Sequence, residues 1–319
     1  MRMPHAAWSN RAMPAVAAGH TVAVMTTQQE RNRPSSPRER LLAGLPVTER
    51  RLELAGISTP VLEGGDGPPL VLLHGPGEFA AKWLRVIPRL VTTHRVIAPD
   101  LPGHGASEVT GGPLSADRVR SWLRGLIEQT CSSPPALVGH VLGGSIAARF
   151  AVADGDRLSR LVLVDALGLA RFRPTPAFAL GLIRFTLRPT EGTYEKFMRR
   201  CSFDLDALRE EMGERWEPFA AYNLERARTP DVKAAVRTLM RQVGLPAIPP
   251  AELERISVPT ALIWGRRDLA NRLRIAEAAS ARYGWPLHVI DNAADDPPRD
   301  QPEAFLRALD AALESTEAS

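Results

Sequence analysis

Short, continuously apolar segments alternate along this chain with segments of helical periodicity. The apolar segments are LVLLH (70–74), HRVIAPD (94–100), ALVGH (136–140), RLVLVD (160–165), TALIWG (260–265) and LHVID (287–291). A strand that is buried on both faces is apolar along its whole length, which is typical of a parallel sheet covered by helices. The pattern therefore predicts an α/β fold with a mostly parallel sheet. RRLELAG (50–56) and STPVLEG (58–64) predict a strand pair at one edge of that sheet.

The alternation is interrupted once. Residues 171–250 have helical patterns and no convincing strand, so we expect a helical insertion there. The chain has 319 residues, which suits one large domain with such an insertion. Its parts are expected to be a core formed by residues 48–170 and 251–316, the insertion, and a disordered N-terminal tail over residues 1–47. The tail is expected to be disordered because much of it is rich in Gln, Arg, Pro and Ser. Its true start is expected at either Met1 or Met25.

Composition excludes several classes of function. The formal net charge is +4, but the arginines are spread along the chain and form no basic run with interleaved aromatic residues, so no nucleic-acid partner is expected. Two cysteines are too few for a disulfide framework. No apolar run reaches the length of a membrane span, so we expect a cytoplasmic protein without a membrane partner. Neither metal-ligand spacing nor a dinucleotide fingerprint occurs, so no metal and no cofactor are expected.

Six motifs occur in an order and spacing that resemble the α/β-hydrolase superfamily. They are LLHGPG, APDLPGHGAS, LVGHVLGG, LVLVDALGL, LIWGRRD and QPEAF, and the resemblance covers about residues 50–315. It is closest to the branch with a helical cap inserted after the sixth strand, which here would be RLVLVD. The resemblance implies a nucleophile in a tight turn between a strand and a helix, with the pattern G-x-S-x-G. In this chain the turn is G-H-V-L-G, and Val141 occupies the nucleophile position.

The resemblance also implies an acid after the seventh strand and a histidine after the eighth. Asp268 occupies the acid position in WGRRD, and alignment on QPEAF puts Asp295 where the histidine is expected. Without an imidazole the two carboxyl groups would face one another, and repulsion would raise one pKa. The alternative interpretation is an ordinary ion-pair cluster, with a nearby arginine (Arg266, Arg267 or Arg299) neutralising them.

The oxyanion-hole region is changed as well. The family draws one N–H from the residue after the His-Gly that follows the third strand. That residue is Pro76, which has no N–H to donate. The N–H of Leu142 remains, and Gly77 or Glu78 could compensate in a reshaped loop. Nucleophile, base and one oxyanion donor are thus all replaced, which indicates a degenerate triad without conventional serine-hydrolase activity.

Two functions remain open. The first is an altered enzyme, of hydrolase, lyase or cyclase type, that acts on a small apolar substrate without an acyl-enzyme. Asp268, Asp295 and Glu78 would then transfer protons. The second is an inactive homologue that binds an apolar ligand or a partner in the cap cleft. His74 and His140 end two strands and are candidates to line the pocket, or to hold the adjoining turns by hydrogen bonds.

Overall fold

The strands form a single mixed sheet in the computed structural model, which describes residues 36–314. In spatial order the sheet runs β1-β2-β4-β3-β6-β7-β8-β9, and the short β5 pairs with β2. The pairs from β4 to β9 along this order are parallel, while β1–β2, β2–β4 and β2–β5 are antiparallel. The predicted mostly parallel sheet with an antiparallel edge is confirmed. Its strands are β1 Thr48–Leu54, β2 Ile57–Gly64, β3 Pro69–Leu73, β4 Arg95–Pro99, β5 Glu108–Val109, β6 Ala136–His140, β7 Arg160–Val164, β8 Thr260–Gly265 and β9 Leu287–Ile290.

Helices cover both faces of the sheet, because successive strand residues point to opposite sides. In β3, Leu70 and Leu72 belong to one apolar cluster, and Val71 and Leu73 belong to the other. No helix among residues 36–314 has the length and apolar character that a membrane crossing requires. The α-helices are α1 Pro37–Leu42, α2 Ile87–Leu90, α3 Ala116–Thr130, α4 Leu142–Asp154, α5 Pro176–Leu187, α6 Glu191–Cys201, α7 Leu205–Met212, α8 Trp216–Arg228, α9 Pro230–Leu239, α10 Pro250–Leu253, α11 Arg274–Tyr283, α12 Pro297–Asp300 and α13 Pro302–Glu314.

The segment between β7 and β8 consists of helices α5 to α10, a π-helical turn at Met240–Gly244 and the connecting loops. Its helical character agrees with the insertion expected at residues 171–250. The strand before it is the expected RLVLVD strand, the sixth of those predicted from the sequence and the seventh in the chain when β5 is counted. With only two residues, β5 leaves no apolar pattern in the sequence.

The predicted tail is ordered at its C-terminal end. Residues 37–42 form α1, whose Leu41 is fully buried in the core. Arg38 of this helix is also buried, and its Nη2 lies 3.0 Å from Asp100 Oδ2 and 2.7 Å from Glu49 Oε2. The prediction of disorder over residues 1–47 is therefore wrong for this helix, because ion pairs compensate the charge that made the segment look unfolded. The rest of the predicted tail up to residue 35, with both candidate start positions, lies outside the described residues.

Candidate active site

The turn at Val141 keeps the shape of a nucleophile elbow. Val141 lies between β6 and α4 with φ 48° and ψ −102°, a region that β-branched residues avoid at a cost on the order of 1–3 kcal/mol. The neighbouring backbone requires glycine: a Cβ on Gly139 would lie 2.4 Å from the Gly143 carbonyl oxygen, and one on Gly143 would lie 2.4 Å from that of Leu73. Close backbone approach on both sides fixes the sharp turn although residue 141 is a valine.

Asp268 lies in a site that favours the neutral carboxyl group. Its Oδ1 accepts hydrogen bonds from the N–H groups of Ala270 (2.6 Å) and Asn271 (2.8 Å). Its Oδ2 is buried and has no hydrogen-bond partner among the described residues. Burial raises the pKa of Asp268 to about 6, although the two N–H groups act in the opposite direction.

A second carboxyl group lies next to Asp268. Asp165 follows β7 with φ 42°, is fully buried, and accepts a hydrogen bond from the Gly265 N–H at 3.0 Å. Burial, together with the charge of Asp268, holds the pKa of Asp165 well above its usual value. The two groups therefore favour sharing a proton over carrying two charges.

Asp295 is a third carboxyl group with a raised pKa. Removal from bulk water is the main cause, and repulsion from Asp268 adds to it, while Arg299 acts in the opposite direction. Arg299 forms its ion pairs elsewhere: its Nη1 lies 2.9 Å from Asp296 Oδ2 and 3.8 Å from Glu78 Oε1. Within residues 36–314 neither Asp268 nor Asp295 has an arginine or lysine within 4.0 Å. Asp295 Oδ1 is buried and has no hydrogen-bond partner among the described residues, although the residue as a whole is only half-buried.

Glu78 lies in surroundings that favour the charged carboxylate, in contrast to those of the three aspartates. Its Oε2 accepts a hydrogen bond from the Gly75 N–H at 2.7 Å and lies 3.6 Å from Lys82 Nζ. Burial acts to raise the pKa of Glu78, but the Lys82 ammonium outweighs it and holds this pKa well below its usual value. Glu78 is therefore an ionised carboxylate, and 18% of its side chain is exposed.

His140 connects these two environments. Its Nε2 lies 2.6 Å from the Asp295 backbone carbonyl, and its Nδ1 lies 2.6 Å from Lys82 Nζ. A carbonyl can only accept and an ammonium can only donate, so the ring is protonated on Nε2 and accepts at Nδ1. Both ring nitrogens are engaged, and His140 has no free nitrogen with which to act as a base.

His74 is a structural group. Its Nδ1 donates to the Gly75 carbonyl at 2.8 Å, and its Nε2 accepts from the Leu101 N–H at 2.9 Å. Burial lowers the pKa of His74 to about 4, so the ring is neutral at physiological pH. It joins the loop after β3 to the loop after β4 and leaves no nitrogen for a ligand.

Pro76, Gly77 and Leu142 are the residues of the predicted oxyanion region. Pro76 and Gly77 are partly exposed in the loop after β3, and Gly77 has φ 75°. Leu142 is the first residue of α4, so its N–H is one of the helix N-terminal groups without an intrahelical acceptor. One backbone donor thus remains beside Val141, and Pro76 offers none.

Comparison with known proteins identifies the fold family. The model of the alpha/beta hydrolase family matches residues 70–308. The chain belongs to this family. The resemblance stated from the sequence motifs is therefore confirmed.

The chain is 28% identical over 269 residues to an uncharacterized protein of Mycobacterium tuberculosis (strain ATCC 25618 / H37Rv), covering 79% of this chain and 77% of that protein. It is 30% identical over 215 residues to a 2-hydroxy-6-oxononadienedioate/2-hydroxy-6-oxononatrienedioate hydrolase of Klebsiella pneumoniae, covering 64% and 72%. Among solved structures it resembles 2-hydroxy-6-oxo-6-phenylhexa-2,4-dienoate hydrolase from Rhodococcus sp. strain RHA1. That match has 25% identity and a TM-score of 0.73, and it covers 84% of this chain and 99% of the other.

Sequence reasoning missed the buried cation of this alpha/beta hydrolase. The Lys82 side chain is 1% exposed, and its Nζ lies 3.2 Å from Asp296 Oδ1. It belongs to a 3₁₀ turn at Ala80–Arg85, where a lysine suggests a solvated surface. One feature of the sequence does distinguish Lys82: lysine is rare in this chain, with only three lysines among its 40 basic residues. Asp296 was missed as a member of the site for the same reason, since its pairing with Lys82 depends on the tertiary fold. Arg299 was named from the sequence, but its ion pairs are with Asp296 and Glu78 and not with Asp268 or Asp295.

Proposed function

We propose that this protein is an enzyme that transfers protons with carboxyl groups and forms no acyl-enzyme intermediate. The observation that carries the proposal is that two carboxyl groups linked through His140 have opposite surroundings: the Lys82 ammonium lies 3.6 Å from Glu78, whereas no described lysine or arginine lies within 4.0 Å of Asp295. Glu78 is held as a carboxylate beside Lys82, and Asp295 is held as a neutral acid beside Asp268. Titratable groups whose surroundings push their pKa values apart are typical of an acid and a base that work together.

The lack of a nucleophilic side chain at position 141 supports the same proposal. The Val141 side chain consists of hydrocarbon and cannot attack a carbonyl carbon. Both nitrogens of His140 are engaged, so this ring cannot activate a hydroxyl group in its place. A proton-transfer enzyme needs neither group.

The division of roles follows from the charges. Glu78 would accept a proton from the substrate, and Asp295 would return one, with burial and the neighbouring Asp268 favouring the neutral form of Asp295. Several relatives are named as hydrolases of 2-hydroxy-6-oxo acids, which contain an enolic hydroxyl and a carbonyl group. We infer a small, largely apolar substrate with an enol or an enolisable carbonyl, because acid–base catalysis alone can move a proton between its oxygen and carbon atoms.

The test is deuterium incorporation in deuterium oxide, followed by NMR with a panel of enolisable ketones and 2-hydroxy-dienoic acids. The wild-type protein is expected to accelerate exchange at carbon for at least one compound. Glu78→Gln and Asp295→Asn should each lower that rate by about 10²–10⁴-fold. The exposed Glu128→Gln is the matched control and should leave the rate unchanged. Exchange at the buffer rate for every compound, or labelling of the wild-type protein by a fluorophosphonate, would contradict the proposal.

A second candidate is a binding protein without catalysis, and two open grooves away from the elbow favour it. Open grooves of about 480 and 510 Å³ occur beside Leu45–Thr48 and beside His288–Asn292, but neither is lined by Val141, Asp268 or Asp295. Lys82 and Asp296 fill the space behind Glu78 with an ion pair. A binding protein would be stabilised against heat by an apolar ligand to the same extent in the wild type and in Asp295→Asn, and it would exchange no deuterium.

A further inference from the structure

Helix α5 presents an apolar stripe to solvent. Leu180, Ile183 and Leu187 are exposed by 45%, 54% and 80%. Their spacing of three and four residues places them on one face of the helix. Single exposed leucines are normal on protein surfaces, but a contiguous stripe on one helix marks a contact surface.

The opposite face of α5 is buried, which explains why the helix is ordered although its apolar stripe is exposed. Phe178 is buried against Cys201 and Ala270, and the half-buried Phe197 and Leu182 pack around them. The helix begins after Thr175, whose hydroxyl accepts a hydrogen bond from the Phe178 N–H. The stripe is therefore the outer face of a helix that already has its own apolar anchorage.

Cationic side chains border the stripe. Arg184 is exposed on the same helix, Arg188 is exposed directly after its last residue, and Arg171 and Arg173 are exposed in the segment before it. Within residues 36–314 none of these four has an ion pair, whereas Arg199, on the neighbouring helix α6, pairs with Glu195 and Asp206. Residues 171–200 contain seven basic and two acidic residues. The charge on this surface is positive and uncompensated.

We propose that α5 is a docking helix for an anionic lipid surface. An apolar face flanked by arginines is the arrangement of a helix that lies in the interface plane, with its apolar side chains among the acyl chains and its cations at the headgroups. A second copy of the chain suits the surface less well, because a symmetric contact would bring Arg184 and Arg188 of both copies together. The expectation of no membrane partner rested on spanning length, which does not apply to a helix on the surface.

The docking helix is joined to the candidate active site. The Thr175 N–H donates to the Leu269 carbonyl at 2.8 Å, and Leu269 directly follows Asp268. Ala270 contributes both to the apolar cluster under α5 and to the hydrogen bonds that hold Asp268. Lipid contact would thus take place next to the loop that carries Asp268, where an apolar compound could enter from the membrane.

The test is co-sedimentation of the full-length protein with vesicles. One set contains equimolar phosphatidylglycerol and phosphatidylcholine, and the other contains phosphatidylcholine alone. We expect binding to the first set only, weakened by added salt. Two variants, L180S/I183S/L187S and R184E/R188E, should each reduce the bound fraction by about tenfold or more. Leu245→Ser removes an exposed leucine elsewhere, Arg89→Glu reverses an exposed arginine elsewhere, and both should bind like the wild type.

Several results would overturn the proposal. They are absence of wild-type binding to the anionic vesicles, equal binding to phosphatidylcholine alone, and unchanged binding of R184E/R188E, which alters only exposed groups. Light scattering provides a further test. A wild-type dimer that L180S/I183S/L187S converts to a monomer would show that the stripe is an interface between copies of this chain.

Discussion

At residue 141 the backbone has a positive φ angle, and the side chain is one that tolerates this angle poorly. The strain persists because the carbonyl groups of Leu73 and Gly143 lie against the glycines on either side, so the turn cannot relax without displacing β3 or α4. The pKa of Asp268 is raised, and Asp295 lies next to it. The surroundings of both positions thus remain suited to a nucleophile and a base.

This geometry predicts the outcome of restoring two groups. Val141→Ser alone should hydrolyse no p-nitrophenyl ester, because both ring nitrogens of His140 are engaged by Lys82 and the Asp295 carbonyl. Val141→Ser combined with Asp295→His should gain measurable esterase activity, since a histidine at 295 would lie beside the Asp268 carboxylate. Its rate should remain about 10²–10³-fold below that of an intact site, because Pro76 offers no N–H. Labelling by a fluorophosphonate checks the nucleophile.

Asp295→His alone is the control and should be inactive toward esters. If the single Val141→Ser variant proved as active as the double variant, another group would be acting as the base, and the assignment of position 295 would be wrong.

At the scale of the element, α1 shows how a short polar helix becomes part of a core. A helix of six residues has little stability by itself. Arg38 supplies the missing stability, because Asp100 is fully buried and its carboxylate needs a cation. Asp100 also accepts hydrogen bonds from the Ala80 and Ala106 N–H groups, so the helix is linked to the loops on either side of β4.

Two arginines of α1 allow a matched comparison. Arg38→Met should lower the free energy of unfolding by about 3 kcal/mol or more, because it leaves the Asp100 carboxylate buried without a cation. Arg40 lies in the same helix and pairs with Glu217 on the surface, where both side chains are well exposed. Arg40→Met should therefore cost less than about 1 kcal/mol. Urea unfolding of both variants measures the difference, and equal effects would contradict a stabilising role of the buried pair.

At the scale of the whole molecule, the buried carboxyl groups make stability depend on pH. The pKa of Asp268 is about 6 in the folded protein and 3.8 in the unfolded chain. Between these values the folded state keeps a proton that the unfolded state has lost, so the free energy of unfolding falls as pH rises. The contribution is fully present below roughly pH 4 and is lost above about pH 6.

Asp268→Asn removes this titration. The difference in unfolding free energy between the wild type and the variant should fall by about 2 kcal/mol from pH 4 to pH 6 and by about 3 kcal/mol over the whole range from pH 3 to pH 8, with little change above pH 7. Denaturant unfolding across this range measures it, with the exposed Asp231→Asn as the control. Parallel profiles for the wild type and Asp268→Asn would show that Asp268 does not titrate as proposed.

The sequence by itself determined the sheet, the helical insertion and the turn at Val141, because these depend on local patterns. A continuously apolar strand such as Leu70–Leu73 indicates burial on both faces, and the glycines around Val141 indicate close backbone contact. The carboxyl groups at 268 and 295 were also predicted to face one another, since each follows the end of a strand and parallel strands bring their carboxyl ends to one edge of the sheet.

Only the tertiary structure decided which charges are buried and paired. The local pattern around Lys82 fits a solvated helix surface, and that around Arg38 fits an unfolded tail. Both side chains are nevertheless buried, each paired with a carboxylate distant in sequence. The free energy of a buried charge depends on its partner and on exclusion of water, which arise only when remote segments pack together. The ionised state of Glu78 and the tautomer of His140 follow from those pairings, so no local pattern could have shown them.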